Sequence, residues 1–158
     1  MPHILVICTA NICRSPVGEI ILRDRLHKKG LDSWLVSSAG TWASEGLSAS
    51  PHSVTVMAEQ GFDLQRHSAR TITEQMLVDA DLILCMELGH VEALQAEFPQ
   101  HRNKVFLLSE MVGKRYSIHD PYGGPLAGFQ RMAKEVTSLI DEGLPRIVML
   151  AQRMGDET

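Results

Sequence analysis

With only three cysteines among 158 residues, the chain cannot build an even disulfide framework, and nothing marks it for an oxidising compartment. No run approaches the ~18 apolar residues needed to cross a bilayer, so membrane insertion is not expected. The apolar opening, Met1 to Asn11, has no cationic region before it and is short, so it reads as a buried strand rather than a signal peptide. No lipidation signal, internal repeat, low-complexity tract or linker is visible. A basic run is also lacking: Lys and Arg number 15 against 19 Asp and Glu, a net charge of −4, which argues against general nucleic-acid binding. The seven histidines are scattered, with no pair at i, i+3 or i+4, so a metal hydrolase is a weak reading. These absences together point to a cytoplasmic protein.

What is present is a chain with 44% apolar and 22% charged residues, enough for one ordinary domain spanning residues 1–158. Strands and helices alternate along it. His3–Cys8 is a β-branched apolar run that suits a strand buried on both faces. Ser15-Pro16 followed by Glu19 is a helix-start signature, Ile20, Ile21, Leu22 and Leu26 give an apolar face, and Gly30 is a stop. Further strands are expected over 34–38, 81–86 and 104–108, and further helices over 53–59 and 91–98. Phe129, Met132, Ala133, Val136, Leu139 and Ile140 mark a long last helix, which Gly143 and Pro145 are expected to kink or break. The charged runs at Arg23–Lys29 and at His90, Glu92, Glu97 and His101 read as solvated faces. The implied fold is α/β: a four-stranded, twisted parallel sheet with helices on both faces. Such sheets bind ligands at the carboxyl ends of their strands, and the loop after the first strand lies there.

That loop reads Cys8-Thr9-Ala10-Asn11-Ile12-Cys13-Arg14-Ser15-Pro16. A short loop leading into a helix N-terminus can aim several N–H groups at an anion. Arg14 adds a planar fork that matches two phosphoryl oxygens. The same field favours the thiolate form of Cys8. An anion cradle with a thiolate at its floor is suited to phosphoryl transfer, which needs no metal and no cofactor. Cys13, close to Cys8 in sequence, could form a reversible disulfide with it under peroxide.

The pattern resembles the N-terminal signature of the low-molecular-weight protein tyrosine phosphatases, matching at Cys8, Asn11, Cys13, Arg14, Ser15 and Pro16, with Ala10 where the family usually has Gly. Ser37–Thr41, Arg66–Arg70, Leu84–Met86 and Asp120-Pro121-Tyr122 resemble later family segments in the right order. The resemblance implies that Cys8 is the nucleophile and that Arg14 with the loop amides of Thr9, Ala10, Asn11, Ile12 and Cys13 holds the phosphoryl oxygens. It implies that Asp120 is the general acid and then the base. Ser15 could cap the helix or donate a hydrogen bond to the Cys8 sulfur. Asn11 should hold the loop, with partners that map to Ser38 and His67; read alone, these are a turn residue and a solvated loop histidine. Tyr122 and Trp42 would wall a slot for an aromatic ring, with Gly123 where many relatives have a second aromatic.

The implied substrates are phosphotyrosine proteins, with a bacterial tyrosine kinase as a candidate partner and inorganic phosphate or similar oxyanions in the same cradle. Arsenate reduction on this fold needs a cysteine relay, and only Cys85 remains here, in an apolar strand. Phosphoarginine hydrolases of the same fold carry Thr where this chain has Ile12, which suits a phenyl ring better than a guanidinium.

Overall fold

The opening apolar run forms β1 (His3–Cys8), and its alternation assigns two faces. Ile4, Val6 and Cys8 join one core cluster, while Leu5 and Ile7 join another. A computed structural model describes residues 1–157. Beyond β1 the chain runs through α1 (Arg14–Lys28), β2 (Leu35–Gly40), α2 (Pro51–Glu59), α3 (Glu74–Asp79), β3 (Leu82–Cys85), α4 (Leu88–Glu97), β4 (Val105–Leu107) and α5 (Leu126–Asp156). Short 3-10 turns, Pro99–Lys104 and Leu108–Val112, flank β4.

All strand pairs are parallel, in the order β2-β1-β3-β4. The first core cluster packs α1, α2 and α5 on one face of the sheet. The second packs Leu77, Val91 and Leu94 of α3 and α4 on the other. The expected four-stranded, two-faced α/β architecture is therefore present. The strand order reverses direction between β1 and β3, and the loop Thr9–Cys13 leaves the carboxyl end of β1 at that switch point.

Several local expectations are corrected. Gly143 and Pro145 do not break the last helix, which runs unbroken from Leu126 to Asp156. Its apolar face continues through Leu144, Ile147, Leu150 and Ala151, all buried, and that packing overrides the helix-breaking tendency of proline. Gly143 serves close packing instead: a Cβ there would sit 2.7 Å from Met111 Cβ. Helix α1 begins at Arg14, with Cys13 rather than Ser15 at its cap position and no side-chain cap bond. The short α3 escaped the sequence reading because six residues carry almost no periodicity; its cap is Thr73, which accepts from the Met76 amide at 3.3 Å. No helix among the described residues is long and apolar enough to cross a membrane.

Candidate active site

The loop after β1 is held by its carbonyls. Cys8 O accepts from the Thr41 amide at 3.0 Å, Thr9 O from Trp42 at 2.9 Å and Ile12 O from Ser50 at 2.8 Å. Asn11 O accepts from His67 Nε2 at 2.6 Å and Cys13 O from Ser53 Oγ at 3.1 Å. With these oxygens engaged outward, the N–H groups of residues 9–13 have no backbone acceptor among the described residues. That is the donor arrangement an oxyanion requires. Asn11 supplies the turn with φ 58°, a left-handed conformation that asparagine tolerates, whereas Ala10 does not have positive φ. Alanine in place of the family's usual glycine therefore carries no left-handed strain. Gly40 presses against the outside of the loop: a Cβ there would lie 2.4 Å from Thr9 O.

Hydrogen-bond directions can be followed from the rim to the sulfur. The Glu19 carboxylate can only accept, so Ser38 Oγ spends its proton there, at 2.6 Å. Ser38 Oγ must then accept from Asn11 Nδ2, at 2.9 Å. The Asn11 amide orientation is fixed because its Oδ1 accepts from the Arg70 backbone amide at 3.0 Å. Its second Nδ2 hydrogen goes to Ser15 Oγ at 2.8 Å. Ser15 Oγ lies 2.9 Å from Cys8 Sγ, and against a thiolate, which can only accept, Ser15 is the donor. Of the two roles open to Ser15, capping is not seen, since Cys13 holds the cap position without a side-chain bond, and the sulfur is within hydrogen-bond reach. Asn11, Ser15 and Ser38 are all buried, and Ser38 and His67 both meet Asn11 as the resemblance implied.

Arg14 is 1% exposed and fixed at both terminal nitrogens. Nη1 donates to Ile118 O at 2.7 Å, and Nη2 pairs with Glu87 Oε2 at 2.6 Å. Its Nε is a buried donor with no partner among the described residues, suited to one more oxygen. Asp120 Oδ2 lies 3.5 Å from Arg14 Nη2, while Oδ1 accepts from the Tyr122 amide at 3.1 Å in a short Asx turn. Its carboxyl is 42% exposed, so it reaches both solvent and the cradle.

Cys8, Thr9, Ala10, Ile12, Cys13, Arg14, Trp42, Ser44, Leu47, Asp120 and Tyr122 line one cavity of about 330 Å³. Every proposed nucleophile, acid and wall residue thus meets in one slot. Another cavity, of about 400 Å³ and lined in part by Trp34 and Phe62, has no cysteine, serine or threonine in its lining and lies against α1. The slot walls Trp42 and Tyr122 are 84% and 69% exposed, so the mouth is open. All three cysteines are free thiols. Burial, then the Asp120 carboxylate and the Cys8 sulfur, pushes the Cys13 thiol up to about 12, so it packs as a neutral group. Burial pushes the Cys85 thiol up as well, consistent with an inert strand residue.

The expected solvated face at His90 is corrected. His90 is 6% exposed and bonds to Thr9 Oγ1 at 2.8 Å. Glu87 and His90 enter the site because β3 neighbours β1, an adjacency that only the strand order creates. Glu92 and Glu97 are exposed as expected. Glu19, Gly40, Ser44 and Leu47 were likewise missed; only Glu19 had a local signal, one helical turn beyond Ser15.

Residues 3–152 match the low molecular weight phosphotyrosine protein phosphatase family. The chain belongs to that family. It is 37% identical over 144 residues to a probable low molecular weight protein-tyrosine-phosphatase, EpsP, of Ralstonia nicotianae, covering 91% of this chain and 94% of the relative. A protein-arginine-phosphatase of Bacillus subtilis is 34% identical over 138 residues, covering 87% of this chain and 91% of that protein. The crystal structure of a low molecular weight protein tyrosine phosphatase from T. tengcongensis superposes with a TM-score of 0.88 at 36% identity, covering 92% of this chain and 99% of that one. Family membership accounts for the cysteine-centred cradle.

Proposed function

We propose that this chain hydrolyses phosphotyrosine on proteins, and small aryl phosphates, through a phosphocysteine. The observation that carries the reading is the directed chain of donors ending at the Cys8 sulfur, beneath a buried Arg14 whose Nε has no partner of its own. In the first step the Cys8 thiolate attacks phosphorus. The bond from phosphorus to the phenolic oxygen breaks, and Asp120 gives its proton to the departing oxygen. The loop amides and Arg14 carry the charge on the remaining oxygens. In the second step Asp120 takes a proton from water, the water oxygen bonds to phosphorus, and sulfur leaves as thiolate with the Ser15 hydroxyl donating to it. Inorganic phosphate is released. No atom transfer in this sequence calls on a metal.

Ile12, Leu47, Trp42 and Tyr122 make the slot apolar and aromatic above the cradle, which favours a phenyl ring over a guanidinium. The substrates are then tyrosine-phosphorylated proteins of the cytoplasm, a bacterial tyrosine kinase among the candidates. The test is turnover of a phosphotyrosine peptide, phosphoarginine, and arsenate with thioredoxin, each with chelator present. Wild type is expected to prefer the phosphotyrosine peptide. Cys8→Ser should abolish turnover, and Asp120→Ala should slow it by about 10²–10⁴, most with poor leaving groups. Preference for phosphoarginine, or full activity in Cys8→Ser, overturns the reading.

A further inference from the structure

We propose that Thr9 is a side-chain hydrogen-bond donor to the bound phosphoryl group and that His90 is the positioning residue that sets the direction of its hydroxyl. The proposal deepens the phosphatase reading and rests on it. Among the described residues the buried imidazole of His90 has two hydrogen-bond neighbours. The Glu87 backbone N–H points at Nδ1 at 3.1 Å. A backbone amide can only donate, so Nδ1 carries a lone pair and the hydrogen of the neutral ring sits on Nε2. Burial holds the ring down to about 4 against the opposing pull of Glu87, so it is neutral at ordinary pH. The 3.6 Å approach of Nε2 to Glu87 Oε2 is accordingly not an ion pair.

Nε2–H therefore donates to Thr9 Oγ1, at 2.8 Å. The other neighbour of that hydroxyl is Arg14 Nη2 at 3.5 Å, which is also a donor. Both partners of Thr9 Oγ1 give hydrogens, so the hydrogen of the hydroxyl itself has no acceptor among them. Thr9 lines the slot beside Cys8, and Arg14 Nη2 is shared with Asp120 Oδ2 at 3.5 Å. The hydroxyl hydrogen is thus left for an oxygen of the phosphoryl group, on the side of the cradle that Asp120 serves. A directed donor of this kind acts without reorganising when charge develops on that oxygen.

The affinity for inorganic phosphate, measured by direct binding and as competitive inhibition, tests the pair without assuming a substrate. Thr9→Val should weaken phosphate binding and lower kcat/KM by about tenfold, the scale of one hydrogen bond to a charged group. Thr9→Ser, which restores the hydroxyl, should recover most of both. His90→Leu should reproduce the Thr9→Val loss, and the double variant should lose no more than either single one. Unchanged phosphate affinity in Thr9→Val, or losses that multiply in the double variant, overturns the proposal. Thr9 is half-buried on a loop, so the Val and Ser variants decide the donor role even where His90→Leu fails to fold; His90→Gln, which keeps a side-chain N–H, then tests the positioning role, with phosphate affinity near wild type expected and a loss like that of Thr9→Val overturning it. Failure of wild type on phosphotyrosine would instead count against the substrate reading, while phosphate affinity still reports on Thr9.

Discussion

The floor and the mouth of the slot are built in opposite ways. At the floor, Cys8, Asn11, Arg14 and Ser15 are buried, and the loop carbonyls are tied to the loop after β2, to Ser50 and Ser53 at the start of α2, and to His67. At the mouth, Trp42, Tyr122 and Leu47 stand 84%, 69% and 48% exposed. The floor must present fixed dipoles to a charge that develops during reaction, and a donor that had to reorient would lose its advantage. The mouth only has to accept a ring, and exposed side chains can adjust to one. Substitutions at the floor should therefore act on rate and on the affinity for phosphate, and those at the mouth on the affinity for the ring-bearing substrate.

The largest effect on this contrast is expected from Gly40→Ala. A methyl group there meets backbone, not movable side chains: Thr9 O at 2.4 Å, Asn11 N at 3.0 Å and Ala10 C at 3.1 Å. Relief requires the loop to move, and overpacking of this kind costs about 1–3 kcal/mol of stability. A displacement of the loop by about 1 Å should cost about 10² in kcat. Thermal unfolding together with aryl phosphate turnover checks both. A variant with normal kcat would show that the floor is not rigid.

Ser15→Ala comes next and separates the two chemical steps. It removes the hydrogen bond to Cys8 Sγ and leaves one Asn11 Nδ2 hydrogen without its acceptor. A hydrogen bond to a charged sulfur contributes about 1.5–3 kcal/mol, so expulsion of the thiolate should slow by roughly ten- to a hundredfold. The phosphocysteine should then accumulate. Rapid-mixing experiments should show a burst of phenol near one equivalent followed by slow turnover. Equal slowing of both steps, without a burst, would mean that Ser15 only shapes the loop.

The same contrast governs what the chain discloses before it folds. The floor's donors are nearly contiguous, Cys8 to Ser15, so residue types in a row reveal the chemistry. The β-branched strand before them and the apolar face after them place that row at a strand–helix junction. The groups that fix the floor are a different matter. Glu87 meets Arg14, and Ile118 O accepts from it across 104 positions, because β3 lies beside β1 and the later loop folds back over its end. Gly40 matters through a close approach that no spacing rule reports. His90 looked like one polar residue among several on a helix, because helical periodicity does not say which neighbouring element covers that turn. Pro145 misled for the related reason that local propensity was outweighed by the buried face of α5.

The smallest expected effect lies at the mouth and completes the comparison. Trp42 and Tyr122 are so exposed that replacing either by alanine should leave the fold intact, with unfolding temperatures near wild type. Their backbone amides, which hold Thr9 O and Asp120 Oδ1, remain in the alanine variants, so the cradle and its affinity for inorganic phosphate should stay as they are. What each variant loses is one wall for the ring of the substrate, a contact of about 0.5–1.5 kcal/mol beyond burial, or roughly three- to tenfold. If the contact is equally good in ground and transition states, that loss falls on KM with kcat unchanged. Steady-state kinetics with a phosphotyrosine peptide, beside phosphate inhibition constants, resolve the two. A fall in kcat matching the rise in KM would show that the ring walls also align the leaving oxygen with Asp120, and the division between floor and mouth would then have to be redrawn through Tyr122, whose amide already holds that carboxylate at 3.1 Å.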